Sequence, residues 1–120
     1  MLRKVIAFGF GVGVAAAVAF SPSVSVAQYG PDTCKQGYVW REAVQGDHVC
    51  VTPGTRSQAA DDNAHAAERV SVHNQSYGPD TCKHGYVWRE ATPDDHVCVT
   101  PGTRAQTADD NAHAQYRFAH

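Results

Sequence analysis

The chain has 120 residues, of which 10 are basic and 12 acidic, and its formal net charge is −2 with histidine counted as neutral. A slightly acidic chain lacks the positive surface that attracts nucleic acids and anionic membranes, so we expect neither as a partner.

Residues 1–27 have the layout of a secretory signal peptide. Arg3 and Lys4 are followed by an uncharged, apolar run over residues 5–20, and Ser25-Val26-Ala27 places small residues at a cleavage site. The apolar run is shorter than the roughly 20 residues of a membrane-spanning helix. We therefore expect export, cleavage after residue 27 and no stable membrane insertion afterwards. The exported chain would lose two of the ten basic residues and carry a net charge of −4.

Two segments of 42 residues, 29–70 and 77–118, are nearly the same at an offset of 48 positions. They share 33 identical residues without a gap, as a duplication predicts. Residues 71–76 form a polar link between them. The sequence thus predicts two modules in tandem, and the identity between the copies does not by itself mark functional residues.

The four cysteines predict two disulfides, because an exported chain meets oxidising surroundings. A module that once existed singly had only its own two cysteines to pair. The duplication therefore favours Cys34 with Cys50 and Cys82 with Cys98, each closing a loop of 15 intervening residues. A pairing exchanged between the two modules is the alternative.

The sequence of each module predicts a β-hairpin followed by a helix. The predicted fold class is therefore α+β, built from small disulfide-stapled tandem repeats. In the first module, residues 37–43 and 48–52 favour strands and residues 44–47 favour a turn. Trp40 would face Val51, or Cys50 after a slip of one residue, and the sequence leaves the two registers open.

The helix of the first module is predicted over residues 56–69. Thr55 and Gln58 match a capping box that would start it. Its small residues Ala60, Asn63, Ala64 and Ala67 fall on one face, which we expect to pack on the hairpin. An asparagine on such a face needs a partner, so we expect Asn63 to bond hairpin backbone. The two modules are expected to pack as a pseudo-two-fold pair, with two independent modules as the alternative.

Several strings of this sequence, G-P-D-T-C, G-Y-V-W-R-E-A and D-H-V-C-V-T-P followed by T-R and D-N, resemble a module of small exported proteins of actinobacteria. The similarity is to secreted proteins of mycobacteria and their relatives, and it covers residues 30–69 and 78–117. The resemblance implies export and a cysteine-paired module. It carries over no catalytic residue.

Four aromatic residues are the candidate binding residues: Tyr38, Trp40, Tyr86 and Trp88. Tyrosine and tryptophan anchor many interfaces. A module with so little other apolar bulk also needs them for its core, and the sequence favours the core interpretation.

Polar residues give only weak signs of chemistry. The adjacent pair Asp47-His48 would point to opposite strand faces, so no catalytic constellation is evident and we expect neither an enzyme nor a cofactor. The weak candidates for metal ligands are His48, His65, His96 and His113. The charged side chains expected to form surface ion pairs are Arg41, Glu42, Arg56 and Arg69.

The sequence therefore predicts an exported structural or interaction protein, located outside the cell or in its envelope. Its expected partner is a protein or a component of the cell envelope. An exported metal-binding protein that uses histidine and aspartate is the alternative function.

Overall fold

A computed structural model describes residues 30–120, and the predicted signal peptide lies outside this range. None of the helices in residues 30–120 is long and apolar enough to cross a membrane. Of the described residues, 34–119 form one unit, and 30–33 with residue 120 belong to another. In the second unit, a 3-10 turn spans Gly30–Asp32, and the Thr33 amide and hydroxyl donate to the Gly30 carbonyl.

Residues 34–119 contain two antiparallel hairpins. The strands are β1 (Val39–Trp40), β2 (Cys50–Val51), β3 (Val87–Trp88) and β4 (Cys98–Val99). Trp40 pairs with Cys50 and Trp88 with Cys98. Of the two registers left open for Trp40, the structure adopts the one opposite Cys50 rather than Val51.

The strands are shorter than predicted because the chain leaves the ladder early. Glu42 and Glu90 adopt positive φ angles of 53° and 57°, which no strand residue has. Asp47 accepts hydrogen bonds from the amides of Ala43 and Val49, so a carboxylate replaces part of the strand-to-strand bonding.

A helix follows each hairpin. α1 spans Pro53–His65, α2 spans Pro101–His113, and the 3-10 turns Ala66–Arg69 and Ala114–Tyr116 continue them. The helix start was predicted wrongly, since Thr52 and not Thr55 is the N-cap. Its hydroxyl accepts from the Thr55 amide at 3.3 Å. Pro53 at the first helical position has a fixed φ and no amide that needs a partner, so the helix begins there.

The face of α1 that is buried also differs from the prediction. Ala60, Asn63, Ala64 and Ala67 are exposed, whereas Ala59 and Asp62 are buried. Asp62 is held inside by Arg69, whose Nη1 lies 2.9 Å from its Oδ1.

Asn63 nevertheless bonds the hairpin, as predicted. Its Nδ2 donates to the Ala43 carbonyl at 2.9 Å, and Asn111 donates to the Ala91 carbonyl at 3.2 Å. The side-chain amides of Asn63 and Asn111, although on exposed residues, thus link each helix to the end of its own hairpin.

Each hairpin carries one disulfide, Cys34–Cys50 in the first and Cys82–Cys98 in the second. The Cα atoms are 5.7 Å apart in both, which is ordinary disulfide geometry. The pairing within each module is therefore confirmed, and the exchanged pairing does not occur.

Two charged pairs occupy the interior. Arg41 Nε donates to Asp47 Oδ2 at 2.7 Å, and Arg89 Nε donates to Asp95 Oδ2 at 2.6 Å. Each of these four side chains is 3% exposed or less. The expectation of a surface ion pair for Arg41 is thus wrong, as it is for the half-buried Arg69. Arg41 can be buried because its charge meets a carboxylate that also accepts two backbone amides.

The pKa of Asp95 reflects this environment. Burial of the carboxyl opposes ionisation, but hydrogen bonds from Arg89 and from the amides of Ala91 and Val97 outweigh it and lower the pKa of Asp95. The carboxylate form is therefore the one that the fold stabilises.

The two halves of the molecule, residues 34–70 and 71–119, contact each other through a short segment near the end of each helical region. We call these segments arms and define them as Arg69–Val70 and Arg117–Phe118. The first arm bridges to Cys82 of the second half, and the second arm bridges to Cys34 of the first half. The reciprocal bonds are Lys83 N to Arg69 O and Lys35 N to Arg117 O, both 2.8 Å. Such mutual contacts are those of a two-fold pair, so the halves are not independent.

Candidate functional site

A cleft of about 710 Å³ lies beside the second hairpin, with the link after the first arm as one wall. We call it the aromatic cleft. Its aromatic lining is Tyr77, Tyr86 and Trp88, and its polar lining is Ser71, Asn74, Thr81, Lys83, His84, Glu90 and Arg104. A cleft of this volume with aromatic walls and a few polar groups has the character of a ligand site.

Trp88 is held in place by contacts from behind. Its Nε1 donates to the Asp80 carbonyl at 2.8 Å, and its ring stacks on His96 with centroids 3.9 Å apart. His96 Nδ1 in turn lies 3.1 Å from the Asp80 carboxylate. His96, which the sequence offered as a metal ligand, therefore supports the tryptophan ring.

Tyr86 is supported by the first arm. The guanidinium carbon of Arg69 lies 5.0 Å from the centre of the Tyr86 ring, a cation–π contact. Arg69 is anchored by Asp62 at 2.9 Å and by the Cys98 carbonyl at 3.1 Å. One half of the molecule thus supplies a wall residue, and the other half holds it.

The rim of the cleft carries charges of both signs. Arg104 Nη2 and Glu90 Oε1 lie 2.5 Å apart, so these two charges largely neutralise each other. This pair, like its counterpart Arg56–Glu42 at 2.8 Å, is exposed, as predicted for surface ion pairs. Lys83 adds a positive charge.

Tyr77 stands at the open edge with 77% of its surface exposed. Its backbone amide donates to the buried Thr81 hydroxyl at 2.8 Å, which fixes the main chain beneath an otherwise accessible ring. Tyr77 is not among the binding residues that the sequence predicted. The feature that could have pointed to it is its position directly after the polar link of residues 71–76, where a side chain is commonly exposed.

The first half repeats the supporting contacts. Trp40 stacks on His48 with centroids 3.8 Å apart, and Arg117 lies 5.1 Å from the centre of the Tyr38 ring. Tyr29, which corresponds to Tyr77, lies outside the described residues.

The aromatic residues proposed for the core do not form it. Tyr38, Trp40, Tyr86 and Trp88 are all half-buried. The fully buried positions are taken by valines, disulfide cysteines and the arginine pairs: Val51, Val99, Cys50, Cys98, Arg41 and Arg89.

Two of the histidines predicted as metal ligands, His65 and His113, are not among the residues that line the cleft. His65 Nδ1 lies 2.9 Å from the Asp61 carbonyl, and His113 Nδ1 lies 2.8 Å from the Asp109 carbonyl, both on exposed helix ends. The contact with the Asp61 backbone, together with its carboxylate, raises the pKa of His65. Within residues 30–120, no three His, Cys, Asp or Glu side chains are grouped as a metal site.

The side chains of Asp47 and His48 contact different groups, although neither residue belongs to a strand. Asp47 faces inward to Arg41, while His48 lies on the Trp40 ring.

Comparisons with family models, with curated proteins and with solved structures found no match. The structure itself defines the class: an α+β protein of two hairpin–helix halves, each with one disulfide. The likeness to exported actinobacterial proteins stays a prediction.

Proposed function

We propose that this protein is an exported binding protein, built from two copies of one disulfide-stapled module, that recognises a neutral glycan of the cell envelope. The observation that carries the proposal is the aromatic cleft, in which Tyr86 and Trp88 are held from behind by Arg69 and His96. Rings fixed before binding lose little conformational freedom on binding, which favours affinity.

The lining suits a sugar chain better than a purely apolar ligand. A pyranose ring has a C–H face that packs on aromatic rings, and its edge carries hydroxyl groups that need hydrogen-bond partners. Ser71, Asn74 and His84 place a hydroxyl, an amide and an imidazole around the rings. Aromatic walls with a few polar groups for orientation are the usual design of such sites.

The charges of the cleft favour a neutral ligand. Glu90 and Arg104 already neutralise each other, so a strongly ionic ligand finds one added cation, Lys83, and little more. A proline-rich peptide also docks on aromatic grooves, but it needs few hydrogen-bond partners and leaves the polar wall unused.

The repeated contacts of the first half extend the proposal. Tyr38 and Trp40 are held by Arg117 and His48 in the same way, so we assign them to a second subsite. A polymeric ligand that reaches both halves binds with added avidity.

The test uses chitotetraose, a neutral oligomer of N-acetylglucosamine, in calorimetry, and insoluble chitin, the neutral polymer of the same sugar, in cosedimentation. Tyr77→Ala removes an exposed ring from the cleft without opening the interior. Tyr116→Ala is the matched control, because Tyr116 is also exposed, at 63%, and does not line the cleft. We expect Tyr77→Ala to weaken binding roughly 3- to 10-fold, as the loss of one aromatic contact predicts, and Tyr116→Ala to leave it unchanged.

Three results contradict the proposal. The first is equal binding by both variants and the unaltered protein, and the second is no binding of either glycan. The third is binding of a decaproline peptide, sensitive to Tyr77→Ala, in place of the glycans.

A further inference from the structure

The contacts between the halves do not depend on the link that joins them. Arg69 donates to the Cys98 carbonyl at 3.1 Å, and Arg117 donates to the Cys50 carbonyl at 3.1 Å. The first contact spans 29 residues of chain, and the second spans 67. The arm that lies far from its target in sequence makes the same bond as the arm beside the link.

Each arm makes stabilising contacts both in its own half and in the opposite half. Arg117 is anchored in its own half by Asp110 at 2.9 Å, and in the other half it reaches Cys50 and the Tyr38 ring. A half without the opposite arm would expose the Cys50 carbonyl and lose the support of Tyr38. The pair is therefore the complete unit, whichever chain provides the arm.

The link itself is held by local bonds. The Asn74 amide donates to the Ser71 hydroxyl at 3.0 Å, and the Ser76 amide donates to Asn74 Oδ1 at 3.1 Å. Val72 within it is 73% exposed. Opening such a turn costs little compared with separating the halves, because few contacts are lost and none of them is in the interior.

We infer that a second copy of this chain is a partner, and that the halves exchange across residues 71–76 to form a closed dimer of two chains. In the dimer, each arm lies on the opposite half of the other chain, and every contact between halves is kept. Exchange of identical elements is a low-cost route to dimers, since only the hinge changes. The covalent link supplies effective concentration to the monomer and no contact to the interface.

The test replaces residues 72–76 in the full chain with five prolines. In the closed monomer the chain reverses direction between Val70 and Cys82, which are antiparallel bridge partners. A proline run is extended, at about 3.1 Å per residue, and carries the chain about 15 Å away. Residues 77–81 could return it only by giving up their own turn, in which the Thr81 amide donates to the Gly78 carbonyl at 3.2 Å. Light scattering after gel filtration should give twice the mass of one chain. A Gly/Ser segment of equal length, which can turn, is the control and should give a monomer at low concentration.

A folded monomer of the proline variant, with both disulfides mapped, overturns the inference. If that variant does not fold, unaltered chains decide the question. Tagged and untagged protein are refolded together at high concentration with the disulfides intact. Mixed dimers are expected on the tag. Absence of mixed dimers overturns the inference.

Discussion

The buried pair Arg89–Asp95 offers the sharpest test of how this small protein is stabilised. Asp95→Ala removes a carboxylate that accepts from the Arg89 guanidinium at 2.6 and 3.1 Å and from the amides of Ala91 and Val97. The arginine would stay buried without its counter-charge. Breaking such a pair costs about 3–5 kcal/mol of the free energy of unfolding, a large part of the stability of a domain of this size.

Urea unfolding of the oxidised protein, followed by tryptophan fluorescence, measures the effect. Arg104→Ala is the matched control, because it breaks the exposed pair with Glu90, which is worth about 0–1 kcal/mol. We expect the midpoint of Asp95→Ala to fall far below that of Arg104→Ala at similar slope. Equal midpoints for the two variants would show that the interior pairs add little to stability.

Two further predictions concern acid and reductant. The pKa of Asp95 is lowered in the folded state, so its carboxylate stabilises the fold above its unfolded pKa of about 3.9. This stabilisation is lost as the pH falls through the folded pKa. Asp95→Asn should therefore flatten the acid side of a plot of stability against pH. A profile as steep as that of the unaltered protein would argue against this assignment. Loss of the Cys34–Cys50 disulfide should remove about 3 kcal/mol of the free energy of unfolding. The double variant Cys34→Ser/Cys50→Ser measures this loss. An unchanged melting temperature would contradict the stabilising role of the disulfide.

The sequence predicted the features that local chemistry determines. Asn63 bonds the hairpin backbone as predicted, although it lies on an exposed face and not on the buried one from which the bond was predicted. The within-module disulfides followed from the duplication, and the pairing Cys34–Cys50 is observed. The helix start was missed although its signal was present, since Thr52 stands directly before Pro53, the residue most suited to the first helical position.

The interior could not be predicted because it depends on contacts across the turn and between the halves. Arg41 and Asp47 become cross-hairpin neighbours only through the left-handed Glu42, which the sequence does not mark. Asp62 is buried only because Arg69 returns to it. Tyr86 and Trp88 were among the predicted candidate residues and Tyr77 was not, and the wall formed by the link exists only once the link has turned back on the second hairpin.

Because the arms contact opposite halves reciprocally, proteins of this architecture need an even number of modules for every arm to find a hairpin. Every arm needs a hairpin to receive it, and in this chain two arms and two hairpins satisfy each other completely. A third module would add one arm and one hairpin. Neither would find a partner within the chain, because the two arms and two hairpins already present are paired with each other. A three-module chain should therefore seek a fourth module in another molecule, whereas a four-module chain closes on itself. Gene lengthening by one unit changes association, and lengthening by two preserves it.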